Sequence, residues 1–384
     1  MNQFSLSANI ETGFPEGSQY VVTPNAKKVL AEIVNGYQSG IHSYTIIGTY
    51  GTGKSSFLIA LQNDLSGRSK KKYLFDNIDV LGCEKVETLN IVGDYASLPL
   101  LLSRKLNIEG NTASVLDALK AYCSKLNAKN TFLVIMIDEF GKVLEHAAKK
   151  DPEGELYFMQ KLAEFANVPT RKVILLTTLH QNFSAYAKGL SQAQRNEWNK
   201  VKGRFKEVVF VEPVEQILML AARQNQAQER NLTGAEEANL SILYQLSIKT
   251  KFVSADFSFE SAKSFYPLDP FSAFSITQAI QRYGQNERSL FSFLHAQGRN
   301  SLNEFKPSAR KTYNLQMVYD YVIYNFYSFL KDANADSMNW SAMKIALERV
   351  EGQSWDSKEM MVDATKIVKT IGMMNLLGTA AFSM

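Results

Sequence analysis

Cysteine is nearly absent from this chain: Cys83 and Cys123 are the only two in 384 residues. That excludes a disulfide framework and suits a reducing compartment. The four histidines are scattered, and neither they nor the cysteines show zinc-ligand spacing. No apolar run reaches the roughly 18–20 residues of a membrane span, so no membrane partner is expected. The N-terminus, Met1-Asn2-Gln3-Phe4, lacks the charged and apolar regions of a signal peptide. Cytoplasm is the expected location. Charge of one sign is also scarce: the net value is +4, which neither requires nor excludes nucleic acid. No internal repeat is visible. A hydrophobic content of 45% is ordinary and sufficient for a sizeable core, and the length suits two or three domains.

What is present is concentrated at Gly48-Thr49-Tyr50-Gly51-Thr52-Gly53-Lys54-Ser55. The run fits G-x-x-x-x-G-K-S/T, the phosphate-binding P-loop. Tyr44-Thr45-Ile46-Ile47 leads in as a buried strand, and Ser55-Ser56-Phe57-Leu58 opens a helix. The glycines let backbone N–H groups turn toward phosphate oxygens, and the helix N-terminus adds a positive dipole end. Lys54 would reach the β- and γ-phosphates, and the Ser55 hydroxyl would sit on Mg²⁺. A glycine-rich turn that binds nothing does not account for strand, loop and helix in that order. No Asn-Lys-x-Asp guanine-reading motif occurs, so ATP is expected rather than GTP. The adenine side is assigned to Tyr20–Pro24.

Phe132–Ile137 is a continuous apolar run ending in Asp138-Glu139. Such a run suits a strand buried on both faces of a parallel sheet, and ligands of open α/β sheets bind beyond the carboxyl ends of strands. Asp138 there would hold Mg²⁺, and Glu139 would polarise the attacking water as general base. Further strands are predicted at 86–92, 173–178 and 208–211, with helices between them, including 95–128, 156–165 and 192–201. The alternation implies a parallel sheet covered by helices on both sides. Thr177 and Thr178 end the fourth strand. Either could contact the γ-phosphate or its water, or merely bond its own loop; Thr178 is favoured, with His180 and Gln181 close enough to share the role. Arg204, before the fifth strand, is either a surface ion-pair partner or a finger reaching a neighbouring subunit's γ-phosphate.

Residues 1–19 read as an extended arm. Arg68, Lys70, Lys71 and Lys72 read as a solvated loop rather than a DNA contact. After Pro213 the pattern becomes helical: 217–225, 235–246, 274–282, 289–295, 315–330, 342–350 and 362–377 carry the periodicity. Residues 251–272, rich in Phe, Ser and Pro, read as irregular. Tyr319, Tyr321, Tyr324, Phe326 and Tyr327 read mainly as core because of their helical spacing. Arg288 opens a helix of this region and would either swing onto the phosphates or balance Glu287. The expected organisation is an arm (1–19), a P-loop core (20–213), a helical lid (214–300) and a further helical region (301–384).

These features together resemble the AAA+ and related STAND ATPases. Four segments are more specific: Ile46–Leu58, Leu179–Phe183, Glu197–Phe205 and Gln285–Leu294 resemble large bacterial ATP-binding proteins that include ATPases of BREX-type phage-exclusion systems. The resemblance implies a five-stranded sheet of order 5-1-4-3-2 followed by a helical lid. It implies ATP and Mg²⁺ as ligands, with residues 48–56, Ser56 included, around the phosphates. It also implies assembly as a homo-oligomer or larger complex, and contact with DNA. In that group the chain continues into winged-helix-type domains, so this one reads as a truncated member. An ATP-dependent switch with little turnover, or a DNA-binding protein that uses ATP for loading, stands as the alternative to an ATPase.

Overall fold

A computed structural model describes residues 8–14, 20–49, 51–67, 72–75, 81–109, 112–225, 231–254, 256–284, 290–295, 299–308, 311–331 and 336–378. The chain divides into two compact units, Met1–Val211 and Glu212–Met384.

The first unit begins with α1 (Pro24–Gln38). Thr23 caps it by accepting the Ala26 N–H at 3.0 Å, and Pro24 occupies the first turn, where a missing N–H costs nothing. There follow β1 (Ser43–Ile47), α2 (Lys54–Leu65), β2 (Lys85–Val92), α3 (Leu98–Leu106), α4 (Thr112–Asn127), β3 (Thr131–Asp138), α5 (Phe140–Lys150), α6 (Pro152–Ala166), β4 (Val173–Leu179), α7 (Gln192–Lys202) and β5 (Lys206–Val209). All pairings are parallel and the strand order is 2-3-4-1-5. Read from the other edge, this is the 5-1-4-3-2 order that the resemblance implies.

β3 shows how the sheet is held. All eight of its residues are buried. Leu133, Ile135 and Ile137 join a core built with α3 to α7. Phe132, Val134 and Met136 join a second core containing Val29, Ile33, Phe57, Leu58 and Leu61 of α1 and α2. Period-two alternation thus feeds two apolar layers instead of one apolar and one wet face.

Several expectations need correction. The fifth strand lies at 206–209, two residues earlier than predicted, because Tyr44 pairs with Lys206 and Ile47 with Val209. Val211 is exposed. The described part of the arm, 8–14, is not a loose extended segment. Asn9 and Gly13 form a bridge, Ile10 is fully buried, and its carbonyl accepts from Asn90 Nδ2 at 3.2 Å. Of the basic loop, only Lys72 is described, and its ammonium donates to the Asp64 carbonyl. The Asp64 carboxylate, wholly buried, accepts the N–H groups of Tyr73, Leu74 and Phe75 and pins that loop to the end of α2.

The second unit consists of helices α8 (Val214–Asn225), α9 (Gly234–Lys249), α10 (Phe259–Ser264), α11 (Pro270–Tyr283), α12 (Leu290–His295), α13 (Leu315–Lys331), α14 (Ser337–Gly352) and α15 (Lys358–Leu377). α10 falls inside the stretch read as irregular. Ser258 caps it through the Ser261 N–H at 3.1 Å, and Ala262 is buried. α11 is buried along nearly its whole length, with Asp269 capping it through the Ser272 N–H at 2.8 Å. On α13, Tyr321 and Phe326 are core, whereas Tyr324 and Tyr327 are exposed, with the Arg299 guanidinium 5.2 Å from the Tyr324 ring.

Candidate functional site

Everything described here lies in the first unit, at the carboxyl edge of the sheet. β1 ends at Ile47, and the chain turns at once. Gly48 donates to the Leu179 carbonyl at 3.0 Å, which ties the loop to the end of β4. A Cβ at Gly48 would fall 2.1 Å from the Phe210 carbonyl oxygen, so no larger residue fits there. Gly53, with φ of +92°, turns the chain into α2 through a conformation costly for any residue with a Cβ. It gives α2 no side-chain cap. The N-terminus of such a helix, with its amides and positive dipole end, is where an anion is favoured. Thr52 is buried, and its hydroxyl donates to the Thr49 carbonyl at 2.8 Å, closing the loop from within. Thr49, Ser55 and Ser56 are half-buried and Gly51 is exposed; Tyr50 lies outside the described residues.

The Lys54 ammonium donates to the Gly48 carbonyl at 2.5 Å and the Thr49 carbonyl at 2.9 Å. Burial lowers its pKa to about 8, against the opposing pull of Asp138 and Glu139. Both carboxylates stand at the end of β3, with β4 between that strand and β1.

Asp138 ends β3 and is buried at 3% exposure. Its Oδ1 accepts the Thr178 hydroxyl at 2.5 Å and the Glu139 N–H at 3.1 Å. The same Glu139 N–H reaches Thr178 Oγ1 at 3.0 Å. Thr178, 1% exposed, thus fixes one carboxylate oxygen of Asp138. Its neighbour Thr177 faces into the sheet, 3.0 Å from Thr45 Oγ1 and 3.1 Å from the Tyr44 carbonyl. Neither matches the readings given for a polar strand end: Thr177 bonds to β1 instead of its own loop, and Thr178 bonds to Asp138.

Glu139 takes a left-handed backbone, φ 52° and ψ 34°, between β3 and α5. Gly93 packs against this turn. Its N–H donates to the Asp138 carbonyl at 2.7 Å, and a Cβ there would lie 2.4 Å from the Glu139 carbonyl oxygen. The Glu139 carboxylate is half-exposed and ion-paired with Lys142, one turn along α5. That contact raises the Lys142 pKa.

His180 follows directly on β4. Its Nδ1 lies 2.9 Å from the Tyr186 hydroxyl, which belongs to the short 3-10 turn Phe183–Ala187. Burial lowers the imidazole pKa to about 4, and the nearby Lys54 charge pushes the same way. The sequence reading named His180 as a possible helper and missed Tyr186. The signal available was the aromatic spacing in Leu179–Tyr186, which has no meaning until the 3-10 turn brings the phenol back.

Arg204 is not brought to this site in its own chain. Its carbonyl accepts from Ser43 Oγ at 2.8 Å and Asn167 Nδ2 at 3.1 Å. Ser43 is the first residue of β1, roughly 16 Å of strand from the loop at about 3.3 Å per residue. The guanidinium pairs with Glu164 at 2.9 Å and lines a surface depression of about 330 Å³ together with Asn167 and Lys206. Arg288 lies outside the described residues. Tyr20 packs 6.2 Å from Phe14 and 6.1 Å from Tyr73, ring to ring.

As to metal, no cluster of three or more His, Cys, Asp or Glu occurs among the described residues. Mg²⁺ does not need one, because it is commonly held by one or two carboxylates and substrate phosphates. A pre-oriented Asp138 and the Ser55 hydroxyl at the start of α2 are hard oxygen donors and fit that requirement.

Solved structures similar to this chain include the ORC2 protein of Aeropyrum pernix in ADPNP–ADP complexes, 12% identical with a TM-score of 0.38 over 97% of this chain and 85% of that one. A DNA replication initiation factor is 9% identical, with a TM-score of 0.33 over 94% and 97% of the two chains. The Walker-type ATPase of Pyrococcus abyssi is 12% identical, with a TM-score of 0.33 over 63% and 65%. No protein-family model matches the sequence, and no curated protein matches it significantly. At these levels of likeness the chemistry has to be read from the site's own residues. No helix among the described residues is long and apolar enough to cross a membrane.

Proposed function

We propose that this chain binds ATP at Gly48–Ser56 and hydrolyses it to ADP and phosphate. The observation that carries this reading is the meeting of a P-loop on β1 with the carboxylate that Thr178 orients at the end of β3, across the intervening strand β4. Lys54 exchanges its two loop carbonyls for phosphate oxygens, and the amides at the start of α2 take a share of the phosphate charge. Ser55 and Asp138 would hold Mg²⁺, which would neutralise charge on the phosphates. Glu139 leaves Lys142 to orient and deprotonate water. Arg204 completes the site of a neighbouring copy, so turnover depends on assembly. The resemblance to phage-exclusion ATPases supports work on DNA or in antiviral defence.

A second reading is favoured by one contact: the Glu139–Lys142 ion pair draws the general base toward solvent. A chain resting in that state is a slow-hydrolysing ATP switch. The test is ATP turnover by the wild-type protein, Lys54→Ala and Glu139→Gln, at several protein concentrations, with and without DNA. Lys54→Ala that keeps nucleotide binding and turnover would sink both readings. Turnover that rises with concentration and vanishes in Glu139→Gln supports the assembling ATPase. Tight binding without turnover supports the switch.

A further inference from the structure

Helices α14 and α15 are consecutive and pack on each other. The contact is close: a Cβ built on Gly372 would collide with the Met343 side chain. The connection between them is pinned as well. Trp355 Nε1 donates to the Val350 carbonyl at 2.7 Å, and the Ser357 hydroxyl caps α15 by accepting the Met360 N–H at 3.2 Å. The pair therefore forms a preset layer of two helices.

One side of that layer faces the core of the second unit. Trp340 and Met343 of α14 join that core with Met373, Leu376 and Leu377 of α15, and they are all that the two helices bury. At 100° per residue, Met338 and Ile345 lie on the opposite side of α14, and Met360, Ile367 and Ile371 on the opposite side of α15. In that order they are 83%, 49%, 48%, 58% and 54% exposed. Ala364 joins the α15 set, which then runs Met360, Ala364, Ile367, Ile371 at steps of four, three and four. This is the repeat with which one helix seats its side chains between those of another. A surface helix ordinarily turns such a stripe toward its own core; here the core is already met by the other side.

The size and charge of this outer face say what fits it. Five apolar side chains about half-exposed or more leave roughly 500 Å² open, close to the apolar share of one side of a standard interface of about 800 Å² per partner. Contiguous apolar patches beyond a few hundred Å² mark interaction sites. The flanking charges are matched within each helix: Lys344 pairs with Glu348 at 3.7 Å beside Ile345, and Lys366 with Asp363 at 2.8 Å beside Ile367. Without a surplus of either sign, these flanks do not draw a phosphate backbone, which calls for excess positive charge, or a strongly acidic or basic protein. They do suit an identical copy. In a two-fold contact the same patch meets itself, and two balanced rims meet without net repulsion.

We infer that the outer face of α14 and α15 is the contact through which two copies of this chain pair about a two-fold axis. Ile345, Ile367 and Ile371 form its apolar centre, and the two ion pairs its rim. The contact lies wholly in the second unit, whereas Arg204 belongs to the first. It is therefore separate from the assembly assigned to Arg204, and it stands whether or not the chain binds ATP.

The experiment is sedimentation equilibrium of the full chain, free of nucleotide, over a range of concentrations. The proteins are wild type, Ile367→Glu, Ile367→Ser, Ile345→Glu and Ile242→Glu. Wild type should form dimers. A carboxylate at the centre of a closed apolar contact should raise the dimer Kd about thirtyfold or more in Ile367→Glu and in Ile345→Glu, and Ile367→Ser should raise it less. Ile242 is 65% exposed on α9 and is not part of this face, so its variant should dimerise as wild type does. Circular dichroism reports the fold, which substitutions at exposed positions should leave intact; Ile367→Ser carries the test if a glutamate variant unfolds. A wild type that stays monomeric overturns the inference. So does a dimer whose Kd is unchanged by both Ile367 variants, or one that Ile242→Glu weakens as much. An unchanged Kd in Ile345→Glu removes α14 from the contact.

Discussion

Replacing Thr178 with valine removes one oxygen and almost no volume, so its effect isolates the hydrogen bond to Asp138. Both residues are buried, at 1% and 3% exposure, and the bond is 2.5 Å long. Removing a partner from a buried charged acceptor costs about 1.5–3 kcal/mol. The Glu139 N–H keeps its contact with Asp138 Oδ1 at 3.1 Å, which holds the loss near that range instead of beyond it. For a unit of 211 residues, a loss of that size lowers the melting temperature by roughly 3–12 °C. The same substitution lets the carboxylate rotate, so the Mg²⁺ concentration giving half-maximal turnover should rise. Thermal melts and Mg²⁺ titrations of Thr178→Val and Thr178→Ser measure both effects, and the serine variant should recover most of each. A valine variant with wild-type melting and wild-type Mg²⁺ dependence would refute the assignment of Thr178 as the residue that orients Asp138.

Three further outcomes are expected. Burial holds Lys54 at a pKa of about 8; below that pH it is charged and ready for phosphate, and above it the free protein must take up a proton to bind. ATP affinity should be flat on the acid side and weaken above pH 8 by about tenfold per pH unit, until the pKa of the bound state is reached, as calorimetry in buffers of different ionisation enthalpy would show through proton uptake. Gly141→Ala places a methyl against the Tyr186 hydroxyl; overpacking of this kind costs about 1–3 kcal/mol, and Tyr186→Phe in the same chain should relieve part of it, read in a double-mutant denaturation series. In the second unit, burial raises the Asp269 pKa to about 6 from an ordinary 3.8. The group's folded form keeps its proton longer than the unfolded form, so its contribution to stability is greatest at low pH and declines between about 4 and 6. Asp269→Asn, which keeps the cap on α11, should remove that decline in urea melts across the range.

The sheet was legible because its signals are local. Phe132–Ile137 is apolar at every position, and a strand with helices on both faces needs nothing else to be recognised. The loop was legible because glycine at 48 and 53 answers to backbone demands that few other residues meet. Strand β5 was misplaced because Lys206 and Glu207 hide a strand start behind two charges. Each has an ion-pair partner, Glu32 and Lys202 respectively, that only the fold supplies. Helix α10 was missed for a related reason: six residues rich in serine carry too short a period to register, and its cap at Ser258 looked like loop composition. At the site, residue types were readable but commitments were not. Sequence placed Thr178 and Glu139 beside the nucleotide; it did not say that the hydroxyl would be engaged by Asp138, or that the carboxylate would lean on Lys142. Nor could it pair His180 with Tyr186, since that contact depends on the Asn182 cap, which accepts the Ala185 N–H at 2.9 Å and starts the 3-10 turn.

The burial of α2 has a mechanical consequence. Phe57, Leu58, Ile59 and Ala60 are inaccessible around the full girth of the helix. A helix sheathed in this way cannot slide or tilt without opening the interior on several sides at once. The loop that precedes it is therefore an anvil and not a lever. If a nucleotide does work here as proposed, the work must be delivered by the parts around the anvil that are not buried, chiefly the half-exposed carboxylate of Glu139. Force sensors or strain-reporting probes placed on α2 should stay silent through a catalytic cycle that the same probes on α5 would record.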